Sequence, residues 1–376
     1  MYKDISRLMM YHELGEDSII KRLSDIIKEY DSGEYDRDVL IERIYAEIHR
    51  LLELATDYGF DKNLWHDYIA YILATNENPF SLTAERMGIS PGSVNRFAES
   101  DMEIFCHLYD YDFSRLEEGL DIECFSTITS YTSIHKRVQM YNRNVSDKIR
   151  ELSDSIEEVA KSADKKSGLL DLVTNFYKAY GVGMFGLNNA FRVSEAPGGG
   201  IRFSPIKNTD KVMLDDLVGY HLQKEQLICN TEAFLAGKPA NNVLLYGDAG
   251  TGKSTSIKAL LNLYYEQGLR IIEVYKHDFR HLPEIISIIK SRNYRFIIYM
   301  DDLSFESAET EFKYLKAVIE GDLEVKPENV LMYATSNRRH LIRETFADRE
   351  EILNNDVHKN DTMAERMSLA ARFGIN

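Results

Sequence analysis

The densest chemical signal in the chain is the run GDAGTGKS at residues 247–254, which fits the Walker A pattern G-x-x-x-x-G-K-[ST]. Gly247, Gly250 and Gly252 let the backbone turn tightly and bring its N–H groups toward phosphate oxygens, with Asp248, Ala249 and Thr251 between them. Lys253 can reach the terminal phosphates of a nucleotide, and the Ser254 hydroxyl can ligate magnesium. Thr255 continues into a helix whose positive end favours an anion. A second constellation is the apolar run Phe296–Met300 followed by Asp301 and Asp302. A hydrophobic strand ending in a carboxylate, downstream of such a loop, is the Walker B arrangement that holds magnesium. Asp301 is then the metal ligand, and Asp302 the group that orients the attacking water. Third, Asn329–Ala334 runs into Thr335, Ser336 and Asn337. An amide there can hold the water and sense the γ-phosphate, but Ser and Asn are also good helix caps, and spacing alone leaves both open.

These groups need a scaffold that brings strand ends together. Val243–Tyr246 reads as a strand entering the loop and Lys253–Tyr265 as the helix leaving it. Strand Arg270–Tyr275, helix Pro283–Lys290, strand Phe296–Met300, helix Thr310–Ile319 and strand Asn329–Ala334 follow in alternation. That pattern predicts an α/β domain with a parallel sheet between helical layers, and a ligand beyond the carboxyl ends of the strands. Phe296–Met300 is apolar throughout, as a central strand buried on both faces should be.

Upstream the periodicity is helical. Val39, Leu40, Ile44, Ile48, Leu51 and Leu52 recur at three- and four-residue steps, and similar patterns cover Ile19–Tyr30, Trp65–Leu73 and Val145–Val159. Tyr68, Tyr71, Tyr109, Tyr111, Tyr131 and Tyr141 read as packing residues. The segment 196–210, with three consecutive glycines between two prolines, reads as a connector. The expected organisation is a helical domain over 1–195, that connector, and an ATPase domain over 211–376. With 376 residues, 44% hydrophobic and 28% charged, the chain has the profile of a globular protein with two cores. It carries no signal peptide and no membrane span, and cytoplasmic placement is expected. Cys106, Cys124 and Cys229 form no pair and are expected as buried thiols. A net charge of −16 argues against general affinity for nucleic acid or acidic membranes.

The order GDAGTGKS, FIIYMDD, ATSN and SLAARFG resembles an AAA+ ATPase. More narrowly, LVGYHLQKEQL (217–227), the stretch 230–254, GLRIIEV (268–274), DDLSFE (301–306) and NVLMYATSNRRHL (329–341) resemble a bacterial family of AAA+ ATP-binding proteins, domain-of-unknown-function family 815. The resemblance implies strand order 5-1-4-3-2 and ATP with magnesium as cofactors. It implies that Val218, Gly219 and Tyr220 pack near the adenine, and that Asn337 is the sensor-1 residue. It also implies that Arg372 is an arginine finger reaching the ATP of a neighbouring subunit in a homo-oligomer, with Arg338, Arg339 and Arg343 as rivals. Two departures stand out. Asp302 occupies the position where most AAA+ enzymes have Glu, so either Asp302 or Glu306 activates water. AAA+ modules usually continue into a helical lid, whereas this sequence ends just after the finger segment, so a large subdomain without its lid is expected. The implied activity is ATP hydrolysis that remodels a protein or nucleic-acid client. The alternatives are a slow ATP-operated switch or scaffold, and a DNA-replication loader that the acidic balance disfavours. The link 276–282 holds Phe279, where threading proteins place a pore loop, but a packed aromatic is the simpler expectation. His277 and His281 lack a third metal ligand there. The acidic stretch 348–356 reads as a solvated insertion.

Overall fold

A computed structural model describes residues 1–88, 92–132, 143–162, 164–196, 198–206, 209–305, 311–320, 327–337 and 372–375. The chain divides into two compact units, Met1–Leu187 and Asn188–Asn376. Among the described residues no helix is long and apolar enough to cross a membrane.

The first unit is helical around one core. Its longest helix, Arg37–Tyr58, starts where the Asp36 side chain accepts from the N–H groups of Asp38 and Val39, and ends on left-handed Gly59. Leu40, Ile44, Ile48, Leu51 and Ala55 form its buried stripe, while Val39, which the apolar pattern puts on that face, is exposed. The tyrosines pack as expected where they are described: Tyr68 and Tyr109 are buried, and the Tyr11 and Tyr177 hydroxyls share a buried hydrogen bond of 2.6 Å. The cysteines depart from expectation. Cys106 and Cys124 are only half-buried, and Cys229 is exposed on a helix of the second unit.

The second unit is a sheet of six strands: β1 (Ala190–Glu195), β2 (Ile201–Pro205), β3 (Val243–Tyr246), β4 (Leu269–Glu273), β5 (Arg295–Met300) and β6 (Val330–Ser336). Its helices are α1 (His221–Leu235), α2 (Lys253–Tyr264), α3 (Leu282–Ile289) and α4 (Glu311–Glu320). All strand pairs are parallel except β1 with β2. Ile297 and Tyr299 of β5 pack in a core with Ile257 and Leu261 of α2 and Phe234 of α1. Phe296, Ile298 and Met300 point the other way and are equally buried, so this strand is covered on both faces.

The strand order corrects the expectation. It is β2-β1-β4-β5-β6-β3, not a five-stranded 5-1-4-3-2. The run from the loop strand inward, β3-β6-β5-β4, matches 1-4-3-2. At the far edge, however, a hairpin extends the sheet, and at the near edge the described residues show a parallel bridge from Val243 to Ile375 rather than a strand. The hairpin comes from the end of the expected helical domain and from the expected connector. Its glycines make a turn: Gly199 N–H donates to Ala196 O, Ala196 N–H to Gly200 O, and Gly199 and Gly200 take φ of 88° and 80°. β1 then pairs Ala190–Arg192 with Ile271–Glu273 of β4. A glycine run that reads as a linker is here the tip of two strands.

If β1 is structural, Phe191→Ala, which empties a fully buried position on it, should destabilise the sheet unit by about 3–5 kcal/mol. Urea unfolding measures this, and a loss below ~1 kcal/mol would return the segment to the status of a linker.

Candidate functional site

β3 ends at Tyr246, the glycine loop follows, and α2 begins at Lys253. Gly250 and Gly252 take φ of 79° and 83°, a region side chains avoid. A Cβ on Gly252 would also lie 2.9 Å from the Leu217 side chain. The first N–H groups of α2 have no carbonyl partner earlier in the helix, an arrangement whose polarity suits an anion. Lys253 Nζ donates to Gly247 O (2.8 Å), Asp248 O (2.7 Å) and Asn337 Oδ1 (3.1 Å). The lysine head thus lies over the mouth of its own loop.

The carboxyl ends of β5 and β6 supply the rest. Ser254 Oγ donates to Asp301 Oδ1 at 2.6 Å, and Thr335 Oγ1 donates to the same oxygen at 2.6 Å. Thr335 Oγ1 in turn accepts the Asp302 N–H at 2.9 Å. Asp302 has a left-handed backbone (φ 49°), and its Oδ1 accepts from Asn337 Nδ2 at 2.9 Å. Because Lys253 can only donate, it fixes Asn337 Oδ1 toward itself and Nδ2 toward Asp302. One connected network therefore runs from loop lysine through Asn337 to Asp302, and through Thr335 to Asp301 and Ser254. Burial works to raise the Asp301 carboxyl, but donation from Ser254 and Thr335, with the Tyr299 hydroxyl close by, outweighs it and lowers the group below its usual range.

These residues line one cavity of about 710 Å³, together with Asp216, Leu217, Val218 and Tyr220. Among the site residues expected from the sequence, Ala249, Gly250, Thr251, Gly252, Lys253, Ser254, Thr255, Asp301, Asp302 and Asn337 all meet there. Gly247 and Asp248 meet the lysine through their carbonyls, and Gly219 (φ 86°) makes the turn between Val218 and Tyr220. Arg372 is exposed and does not line this cavity. Its segment docks on the outer side of β3, where Leu244 N–H donates to Ile375 O and Phe373 is buried. Glu306, Arg338, Arg339, Arg343 and the acidic stretch lie outside the described residues. Sequence reasoning missed Asp216 and Leu217 as cavity walls, and it gave no role to Thr335, which bridges both acids. The signal for Thr335 is a buried hydroxyl residue, next to Ser336, at the carboxyl end of a mostly apolar strand. Phe279 is buried against Phe305, as a packed aromatic, and no metal-ligating cluster of His, Cys, Asp and Glu occurs among the described residues.

Residues 187–376, half of the chain, match the family model described as "Protein of unknown function (DUF815)". The chain belongs to that family. Within this DUF815 chain, the matched region holds the whole network described above. No curated protein matches. Solved structures with some likeness include the RuvB Holliday junction branch migration motor of Thermotoga maritima, at 18% identity and a TM-score of 0.28. A substituted form of the same protein gives 19% and 0.29. In both, 44% of this chain aligns to 47% of theirs, so the chain spans about half their length. Scores this low say nothing about function or assembly.

The Thr335 bridge can be tested by Thr335→Val, which strands the Asp302 N–H and removes one donor from Asp301. It should destabilise the protein by about 1–3 kcal/mol at pH 7. A carboxyl held below its unfolded value of ~3.9 stabilises the fold above that pH, and the contribution fades as pH falls through the folded value. The loss caused by the substitution should therefore shrink below about pH 4. Urea midpoints at pH 7 and pH 3 check this, and an equal loss at both would separate Thr335 from the charge on Asp301.

Proposed function

We propose that this chain binds ATP with magnesium in the loop cavity and hydrolyses it, as an AAA+ P-loop ATPase acting on a protein or nucleic-acid client. The observation that carries the reading is the single hydrogen-bonded network joining Lys253, Asn337, Asp302, Thr335, Asp301 and Ser254. A purely structural strand end has no need to tether a loop lysine to two adjacent carboxylates.

The residues present fit magnesium. Ser254 Oγ and the Asp301 carboxylate are hard oxygen donors, and the buried Tyr299 hydroxyl beside them has no partner of its own. Magnesium, when bound, supplies charge neutralisation between the phosphates. The remaining work falls to the chain. Lys253 exchanges the carbonyls of Gly247 and Asp248 for phosphate oxygens, while the amides of Gly250–Thr255 hold the β-phosphate. Asp302 accepts a proton from, or orients, the attacking water, and Asn337 positions it. Val218, Gly219 and Tyr220 border the base. Arg372 reaches the γ-phosphate held by a second copy of the chain, which makes hydrolysis depend on homo-oligomer formation. The helical unit is the natural place for the client.

A second reading has one observation behind it. Asp302 is one methylene shorter than Glu and is tied to Asn337, so it is a restrained base. That favours a slow, ATP-operated switch whose bound nucleotide selects its partner.

ATP turnover measured against protein concentration tests both. Lys253→Ala should abolish nucleotide binding by calorimetry. Asp302→Asn should keep binding and lose about 10²–10⁴ in rate. For the motor, specific activity should rise with concentration and fall by about 10³ or more in Arg372→Ala. Flat, negligible turnover would leave the switch, and no heat of Mg·ATP binding would remove both.

A further inference from the structure

We infer that Tyr299 is a positioning residue for the metal-binding oxygens, its hydroxyl being a donor held in reserve for the loaded site. The inference rests on the magnesium–nucleotide reading above.

Tyr299 lies two residues before Asp301 on β5 and so projects from the same face of the strand. It is 2% exposed, in the core that also holds Tyr333 and Ile257. Buried tyrosine hydroxyls elsewhere among the described residues are satisfied. Tyr333 Oη accepts from Asn230 Nδ2 and pairs with Thr231 Oγ1, both at 2.9 Å, and Tyr68 Oη accepts from Ile20 N–H at 3.2 Å. Among the described residues, Tyr299 is the tyrosine whose buried hydroxyl has no hydrogen-bond partner. Its polar neighbours are Ser254, Asp301 and Thr335, which lie within hydrogen-bonding reach and act on the hydroxyl as such groups do, although none meets the geometry of a formed bond.

Those neighbours are already engaged with one another. Ser254 and Thr335 both donate to Asp301 Oδ1, and Thr335 also accepts the Asp302 N–H. The tyrosine O–H is left over. A buried hydroxyl without a partner destabilises the protein, and phenylalanine would fill the same space without that cost. The arrangement makes sense where a second state gives the hydroxyl a partner. Ser254 and Asp301 are the two groups assigned to the cation. Engaging them redistributes the donors on Asp301, and the Tyr299 hydroxyl beside them is a spare donor.

The test is thermal unfolding of the full chain and of Tyr299→Phe, each without ligand, with ADP and EDTA, and with ADP over a magnesium titration. The transition to follow is the one that moves with Mg·ADP in the unaltered protein. The ligand-free variant should melt a few degrees higher, consistent with relief of one buried unsatisfied group in a domain of this size. It should respond to ADP with EDTA as the unaltered protein does. It should need about 5–10-fold more magnesium for half of the metal-dependent shift. A ligand-free melting temperature equal to or below that of the unaltered protein, or an unchanged magnesium midpoint, overturns the inference while leaving the site reading intact. If the unaltered protein shows no shift with Mg·ADP, the site reading itself fails, and the inference falls with it.

Discussion

Two carboxylates in succession at the end of one strand are the constraint around which the sheet unit is organised. Carboxylates ~5 Å apart repel by about 3 kcal/mol at an effective dielectric near 20, so neighbouring charges persist only if each has its own donors. Asp301 draws on Ser254 and Thr335, and Asp302 draws on Asn337. These donors come from the helix after β3 and from the end of β6. They can reach β5 only if β3, β6 and β5 are adjacent and parallel, with their carboxyl ends level. The observed pairing meets that requirement: Met300 lies beside Ala334, and Tyr246 beside Ser336. The donors to this dipeptide thus come from the elements beside β5 on one side, and the strands on its other side take no part. The added hairpin sits on that other side.

Backbone strain follows the same geography. Among the described residues, four without the licence of glycine take positive φ: Lys62, Asp121, Tyr220 and Asp302. Two of the four, Tyr220 and Asp302, line the loop cavity. Such conformations cost on the order of 1–3 kcal/mol each and survive where surrounding contacts over-determine them. At Asp302 the contacts are visible. The left-handed turn aims the N–H at Thr335 and the carboxylate at Asn337, so each acid faces its own donors. Tyr220 opens α1 without any side-chain cap, and a more ordinary residue would serve the helix as well.

Much of this is legible in the sequence. The glycine loop announces itself because Gly247, Gly250, Gly252, Lys253 and Ser254 each meet a separate physical demand, and β5 because five apolar residues in a row need cover on both faces. Two kinds of feature were not legible. The hairpin was hidden because Gly198–Gly200 serve equally well as linker and as turn, and only pairing with β4 decides between them. Thr335 and Tyr299 were hidden because the importance of a lone hydroxyl in a buried strand depends on what the neighbouring strand places beside it. That is a property of register, and register is not written in either strand alone. The same reasoning explains Val39, whose apolar side chain fits the helical period yet falls just outside the stripe from Leu40 to Ala55.

The segment bearing Arg372 adds a mechanical point to the proposed assembly. Ile375 bonds in both directions to the strand that feeds the glycine loop, donating to Asn242 O and accepting from Leu244 N–H. Asn242 is itself anchored, since its side chain accepts the Met332 N–H of β6 at 3.0 Å. The arginine is therefore three residues from an attachment to β3, on the opposite side of that strand from β6. A group so placed lies outside the cavity lining of its own chain and is tied through Ile375 to the strand that feeds the glycine loop. If it completes the cavity of a neighbour, what one subunit holds in its loop and how it presses on the next are properties of a single stretch of backbone. Communication between subunits would then require no separate relay, only the stiffness of β3.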